Sequence, residues 1–266
     1  MVDRGLLKFQ PTYLEIHSRH NEGMPPPSHL LPPAELASLV DRVLARLTAR
    51  EPEAKGPLLI GIAGAPGAGK TTLAENLVEA LGEELGGLGG GPVAPPVPAV
   101  AHLPMDGFHL PDVQLQALGL RGRKGAPETF DAHGFLATLR RLRSDEPAII
   151  YVPGFERDLE QPVAASIALP PTVRVVVSEG NYLLVDIEPW PQVRGLFDEV
   201  WFVDLPDSER LHRLVLRHTR FGKDADQARS WALGPDQANA ELVLASRAHA
   251  DLVITAPDRP DAVDSR

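Results

Sequence analysis

Two kinds of apolar spacing alternate along the chain. Leu36, Leu39, Val40, Val43, Leu44 and Leu47 recur at steps of three and one, the stripe of an amphipathic helix over Pro33 to Arg50. Leu58 to Ala63 is instead a continuous apolar run, as a strand covered on both faces requires, and Thr72 to Leu85 returns to a helical period. Short apolar runs follow at Ala99–His102, Ala148–Tyr151, Val173–Val177, Val200–Val203 and Leu252–Thr255. Helical patterns at Phe135–Leu142, Ser208–His218 and Asp236–His249 lie between most of them. This alternation predicts an α/β domain, a parallel sheet with helices on both faces, spanning residues 33–256. Residues 1–32 read as a poorly ordered N-terminal arm and 257–266 as a tail. Residues 86–98 (GGLGGGPVAPPVP), with neither period, read as a mobile surface insertion.

Composition narrows the chemistry. Of 266 residues, 26 are Lys or Arg and 36 are Asp or Glu, a formal net charge of −10, and none is Cys. Disulfides, thiolate zinc sites and cysteine nucleophiles are thereby excluded. An acidic surface repels phosphate backbones, which argues against a nucleic-acid partner. Pro or a charge interrupts every apolar run before membrane-spanning length, so no membrane partner is expected. The first thirty residues do not resemble a secretory signal, and the expected compartment is the cytoplasm. A homodimer is one arrangement the sequence leaves open.

The strand at Leu58 leads into Gly64-Ala65-Pro66-Gly67-Ala68-Gly69-Lys70-Thr71, a full match to GxxxxGK[ST] with a helix after it. Glycines let successive backbone N–H groups turn inward around an anion, and the helix N-terminus adds its positive end. With Thr72 completing the turn, these residues form a candidate nucleotide cradle. Lys70 would neutralise the β- and γ-phosphates, and Thr71 would offer its hydroxyl to Mg²⁺.

Other residues bear on where the phosphate goes. Asp106 follows the second strand, at the edge where open α/β sheets bind ligands, and is the candidate general base. The same Asp-Gly pair also fits an ordinary turn. Glu179 ends a strand and is the candidate second metal-site residue, with Asn181 and Tyr182 facing the acceptor pocket; a strand-end Glu that caps the next segment is the plainer reading. Arg210, Arg213, Arg217 and Arg220, spaced three, four and three, stack on one helix face. Such a face is commonly just solvated, but on a lid helix it would close over phosphates, with Arg217 and Arg213 the foremost catalytic candidates.

With these parts in place, the sequence resembles the phosphoribulokinase and uridine kinase family of P-loop kinases, in the branch that includes bacterial type I pantothenate kinase. Four segments carry the resemblance: residues 64–71, Met105-Asp106-Gly107-Phe108-His109, Lys124-Gly125-Ala126-Pro127-Glu128-Thr129-Phe130-Asp131, and Glu179-Gly180-Asn181-Tyr182-Leu183-Leu184. The third is shared with a group of nucleoside, nucleotide or sugar-transport-associated kinases. The resemblance implies a P-loop NTPase fold and an ATP-dependent kinase acting on a hydroxyl of a small metabolite, which could be pantothenate-like, a nucleoside or a sugar. It implies Asp106 as base and Arg157 as a residue that orients the acceptor, with His109 and Lys124 as further acceptor contacts. The competing class is a nucleotide-dependent switch with slow hydrolysis, but the Asn-Lys-x-Asp signature of guanine-binding switches is missing.

Overall fold

The computed structural model describes residues 30–51, 53–86, 98–144 and 147–255. Most of the expected arm and insertion, and the tail, lie outside the described residues. In chain order the elements are α1 (Pro33–Thr48), β1 (Leu58–Gly64), α2 (Lys70–Gly86), β2 (Val100–Pro104), α3 (Asp112–Ala117), α4 (Ala132–Leu142), β3 (Ile150–Glu156), β4 (Gln161–Leu169), β5 (Val175–Glu179), α5 (Trp190–Arg194), β6 (Glu199–Asp204), α6 (Asp207–Arg220), α7 (Ala225–Leu233), α8 (Pro235–Ala245) and β7 (Leu252–Thr255). Five strands form one parallel sheet in the order β2-β5-β1-β6-β7.

Alternation along β1 divides the core between the two faces of the sheet. Leu58, Ile60 and Ile62 pack with Leu39, Val40 and Val43 of α1 and Leu73, Leu77 and Leu81 of α2. Leu59 and Ala63 belong to the opposite cluster, with Phe135 and Leu139 of α4, Trp190 of α5 and Val243 of α8. The parallel sheet covered by helices on both faces is therefore the architecture that the apolar pattern predicts. Leu30 and Leu31, assigned to the arm by sequence, are buried in the first cluster, because two adjacent leucines beside the phosphate loop have an apolar surface to cover.

The apolar run at Ala148–Tyr151 is not a strand of the main sheet. It begins β3, which pairs antiparallel with β4 in a separate two-stranded sheet, the register shifting between Val152 and Gly154. Pro153 and Pro162 remove ladder donors, which suits an edge hairpin and not a strand bonded on both sides. The expected helix at Asp236–His249 ends at Ala245, and a separate 3₁₀ turn covers Arg247–His249.

Helix α1 is fastened by one carboxylate. Glu199, whose side chain is fully buried at the start of β6, accepts from Arg42 Nε at 2.7 Å, Arg46 Nε at 2.6 Å and Trp201 Nε1 at 2.7 Å. Burial pushes the Glu199 carboxyl up, but the bonds from Arg42, Trp201 and Arg46 override it and hold the group below its ordinary value. Its contribution to stability is therefore complete above pH 4.5 and is lost as pH falls through the folded-state value. Glu199→Gln should lower the stability of the fold by about 2 kcal/mol at neutral pH. In denaturant titrations the difference from wild type should shrink as the pH is lowered through the acid range.

Candidate active site

The register of the parallel sheet brings the chemistry together. Gly61 and Ile62 of β1 lie opposite Ser178 and Glu179 of β5, and Pro104 of β2 lies opposite Glu179 on its other side. The phosphate loop, Glu179 and the turn carrying Asp106 therefore leave three neighbouring strands at the same carboxyl edge. Within the loop, Gly67 and Gly69 have φ of +83° and +94°, conformations that bend the backbone around an anion and that side chains rarely adopt. Gly64, Ala65 and Ala68 are buried supports, Thr72 is half-buried on α2, and Pro66, Gly67, Lys70 and Thr71 line the cleft. The Lys70 ammonium donates to the Ala65 carbonyl at 3.1 Å, and the Thr71 hydroxyl donates to Glu179 Oε1 at 3.3 Å.

Asp106 sits on a 3₁₀ turn, Met105–Phe108, at the end of β2. Its neighbour must be glycine, because a Cβ at Gly107 would lie 2.2 Å from the Pro153 carbonyl oxygen of β3. The hairpin thus presses directly on the turn and brings Arg157, just beyond β3, to Asp106 with an Nη2–Oδ2 distance of 2.6 Å. The His109 ring, 3.9 Å from Asp106 Oδ1, stands 3.9 Å from the Phe130 ring centroid and 5.3 Å from that of Phe155. Arg157 in turn lies over Phe155, 5.0 Å from its centroid.

The four arginines of α6 have separate surroundings. Arg217 lines the cleft. Arg213 pairs with Glu209 at 2.7 Å, and one of its Nη atoms lies 3.3 Å from the Cβ position of Gly69. Arg210 is buried and bonded to Asp207 and Gln237, so it anchors α6 to α8. Arg220 lies on the exposed side near the helix end. Tyr182, expected to face the acceptor, does not line the cleft. It is fully buried against Phe130 and Trp190, and its hydroxyl donates to the Gly125 carbonyl, because the loop after β5 turns inward at that residue. Asn181 does line the cleft.

Pro66, Gly67, Lys70, Thr71, Asn181 and Arg217 line a cavity of about 330 Å³ that also takes in Asp106, His109, Lys124, Arg157 and Glu179. A second cavity, of about 430 Å³, is lined by Leu47, Leu142, Leu169 and Val173 and contains none of the candidate residues. No family model matches the chain. An ATP-dependent kinase-like protein of Aspergillus versicolor is 36% identical over 152 residues, 54% of this chain and 88% of that protein. A Schizosaccharomyces pombe protein provisionally named a uridine kinase is 33% identical over 165 residues, 60% of this chain and 66% of that one. A solved structure from Silicibacter sp. TM1040, provisionally named a fructose transport system kinase, is 37% identical with a TM-score of 0.71, covering 82% of this chain and 98% of that one. The chain belongs to the uridine kinase-like family of P-loop kinases.

The electrostatics of the kinase cleft follow from packing cations and carboxylates closely. For Asp106 burial works upward, but Arg157 first, then His109, Lys70 and Arg217, hold the carboxyl down at about 2. Burial and the nearby Asp106 charge push Glu179 up to about 7, against Lys70, Arg157 and the Thr71 hydroxyl. Burial lowers Lys70 to about 8, against the attraction of Glu179 and Asp106. The kinase also places in the cleft several residues that the pattern did not single out. These include Asp112, Asn239, Phe221 and Trp231, together with the His218–Asp236 pair, whose Nε2–Oδ2 distance is 2.6 Å. No motif marks them, since they gather from α3, α6, α7, α8 and the segment between α6 and α7.

Lys70 is positively charged below its folded-state value and loses that charge as pH rises through about 8. ATP binding to the kinase should therefore weaken above that pH by about tenfold per unit, until the bound phosphates hold the proton on. Titration calorimetry from pH 7 to 10 should show this slope in wild type and its loss in Lys70→Arg, whose guanidinium stays protonated throughout.

Proposed function

We propose that this kinase transfers the γ-phosphoryl group of ATP to a hydroxyl of a small metabolite. The observation that carries the reading is the position of Asp106, a carboxylate that lines the same cavity as Lys70 and is flanked by Arg157 and His109. In the step, the bond from the γ-phosphorus to the oxygen of ADP breaks, a bond to the acceptor oxygen forms, and the acceptor proton passes to Asp106. A carboxyl held near 2 is ionised at neutral pH, so it can accept a hydrogen bond from the hydroxyl and orient it. Its weak basicity places the proton transfer late, as the new bond develops. Lys70 and Arg217 line the cavity and Arg213 stands beside Gly69, where their positive charge would offset the charge on the phosphates and the transferring oxygens.

The Thr71 hydroxyl and the Glu179 carboxylate form a pair of oxygen donors suited to a hard divalent cation such as Mg²⁺. The raised Glu179 value fits that role, since a buried carboxylate short of positive charge is one that a cation would relieve. When bound, Mg²⁺ would supply positive charge that neutralises the phosphates. Arg157, His109 and Asn181 are the side chains that would contact the acceptor.

The test is ADP release by the full chain with ATP, Mg²⁺ and, separately, pantothenate, uridine and fructose, with the product identified by mass spectrometry. One of these should be phosphorylated, and Asp106→Asn should slow that turnover by about 10²-fold or more while leaving ATP affinity in place. Equal turnover in wild type and Asp106→Asn would overturn the assignment of the base.

A further inference from the structure

Lys124 opens the segment Lys124–Asp131, and the structure accounts for almost every residue of that segment as framework. The Gly125 carbonyl receives the Tyr182 hydroxyl, and the Gly125 N–H donates to Thr129 Oγ1 at 3.0 Å. Thr129 Oγ1 donates in turn to the Ala126 carbonyl at 2.7 Å. Phe130 packs on His109 and Tyr182. Asp131 caps α4 by accepting from the Gly134 N–H, and its own N–H donates to the Phe108 carbonyl. The segment therefore holds the turn that bears Asp106, and one side chain, Lys124, reaches past it.

That side chain reaches the β3–β4 hairpin. The Lys124 ammonium donates to the Glu160 carbonyl at 2.6 Å and to Asp112 Oδ1 at 2.9 Å. The Asp112 N–H donates to Gln161 Oε1 at 3.0 Å, and Arg121 lies 3.5 Å from the other Asp112 oxygen. Glu160, whose carbonyl receives the lysine, has a φ of +52°, a left-handed conformation that costs a non-glycine residue energy and needs an external hold. A two-stranded hairpin is marginal by itself. Its last paired residues are Glu156 and Gln161, so Arg157 lies in the unpaired tip.

We propose that Lys124 is a positioning residue: its ammonium fastens the hairpin tip to Asp112 and so sets Arg157 against Asp106. The proposal rests on the reading of Asp106 as the base, but it gives Lys124 a different role from that of an acceptor contact. With two of its three donors engaged on protein oxygens and its side chain only 19% exposed, Lys124 is committed to the tip. The acceptor then meets Arg157 at a location fixed by the Lys124 contact with the hairpin tip.

The test compares hydrogen–deuterium exchange and turnover in the full chain for Lys124→Met, Lys124→Arg and Gln161→Ala. Gln161 does not line the cavity, so it loosens the tip without touching the acceptor. Lys124→Met should speed exchange over residues 154–163 by about tenfold, with α2 unchanged. Gln161→Ala should do the same to a smaller degree, and Lys124→Arg should restore protection. With the acceptor identified from pantothenate, uridine or fructose, Lys124→Met and Gln161→Ala should lower kcat/KM for the acceptor and leave the KM for ATP within about twofold. Unchanged exchange over the hairpin in Lys124→Met would overturn the proposal, whatever happens to turnover. So would a loosened hairpin with wild-type turnover. Failure of the wild type to phosphorylate any of the three compounds would count against the proposed acceptors only, since the exchange comparison decides the hairpin contact without turnover.

Discussion

Parallel pairing of β5 between β1 and β2 is the constraint on which the site depends. Because parallel strands end on the same edge, Glu179 is carried beside the phosphate loop on one side and beside the Asp106 turn on the other. Hydrogen bonds of the sheet, not contacts among the side chains of the cleft, set those spacings. Helices on both faces then bury the strands so completely that the edge cannot shift without disturbing two apolar clusters. The charged residues stand on a foundation they do not themselves hold together.

At that edge the cleft has a charge character unlike the chain as a whole. A protein with a net charge of −10 gathers Lys70, Arg157, Lys124, Arg121, Arg217 and Lys223 around one small cavity. Asp106, Asp112, Glu160, Glu179 and Asp236 accompany them, so the cleft is a mosaic of near-balanced charge. Such a mosaic costs desolvation but holds each group in one place, and its members perturb one another. The carboxyl of Asp106 is held down and that of Glu179 pushed up within the same cleft, which separates a group that stays ionised at neutral pH from one that titrates near it. Two carboxylates of similar intrinsic acidity thereby acquire different titration behaviour from their neighbours, as the proposed base and cation ligand require.

The β3–β4 hairpin adds a second layer to this arrangement. It stands outside the parallel sheet, yet Pro153 touches the Asp106 turn at Gly107 and Arg157 reaches the carboxylate itself. An Asp-Gly pair that reads as a common turn in the sequence is in the fold a place where only glycine leaves room for a neighbouring backbone. The same hairpin shows why β4 escaped the pattern. Gln161 to Leu169 has little alternation, begins with Gln-Pro and leaves its middle residues exposed, so no apolar period marks it.

By itself the sequence determined the elements whose signals are local. A two-faced apolar run followed by GxxxxGK[ST] can form few structures other than a buried strand, an anion loop and a helix, and the stripes of α1, α4 and α6 follow from periodicity alone. The positions of Asp106 and Glu179 at strand ends were legible for the same reason. Tertiary structure decided which of the four stacked arginines meets the cleft, because burial of Arg210 and the pairing of Arg213 with Glu209 depend on what packs against α6. It also turned Tyr182 inward onto Gly125 and joined Lys124 to a carbonyl 36 residues away. Those contacts link segments distant along the chain, and a one-dimensional pattern carries no record of which distant residue a side chain will face.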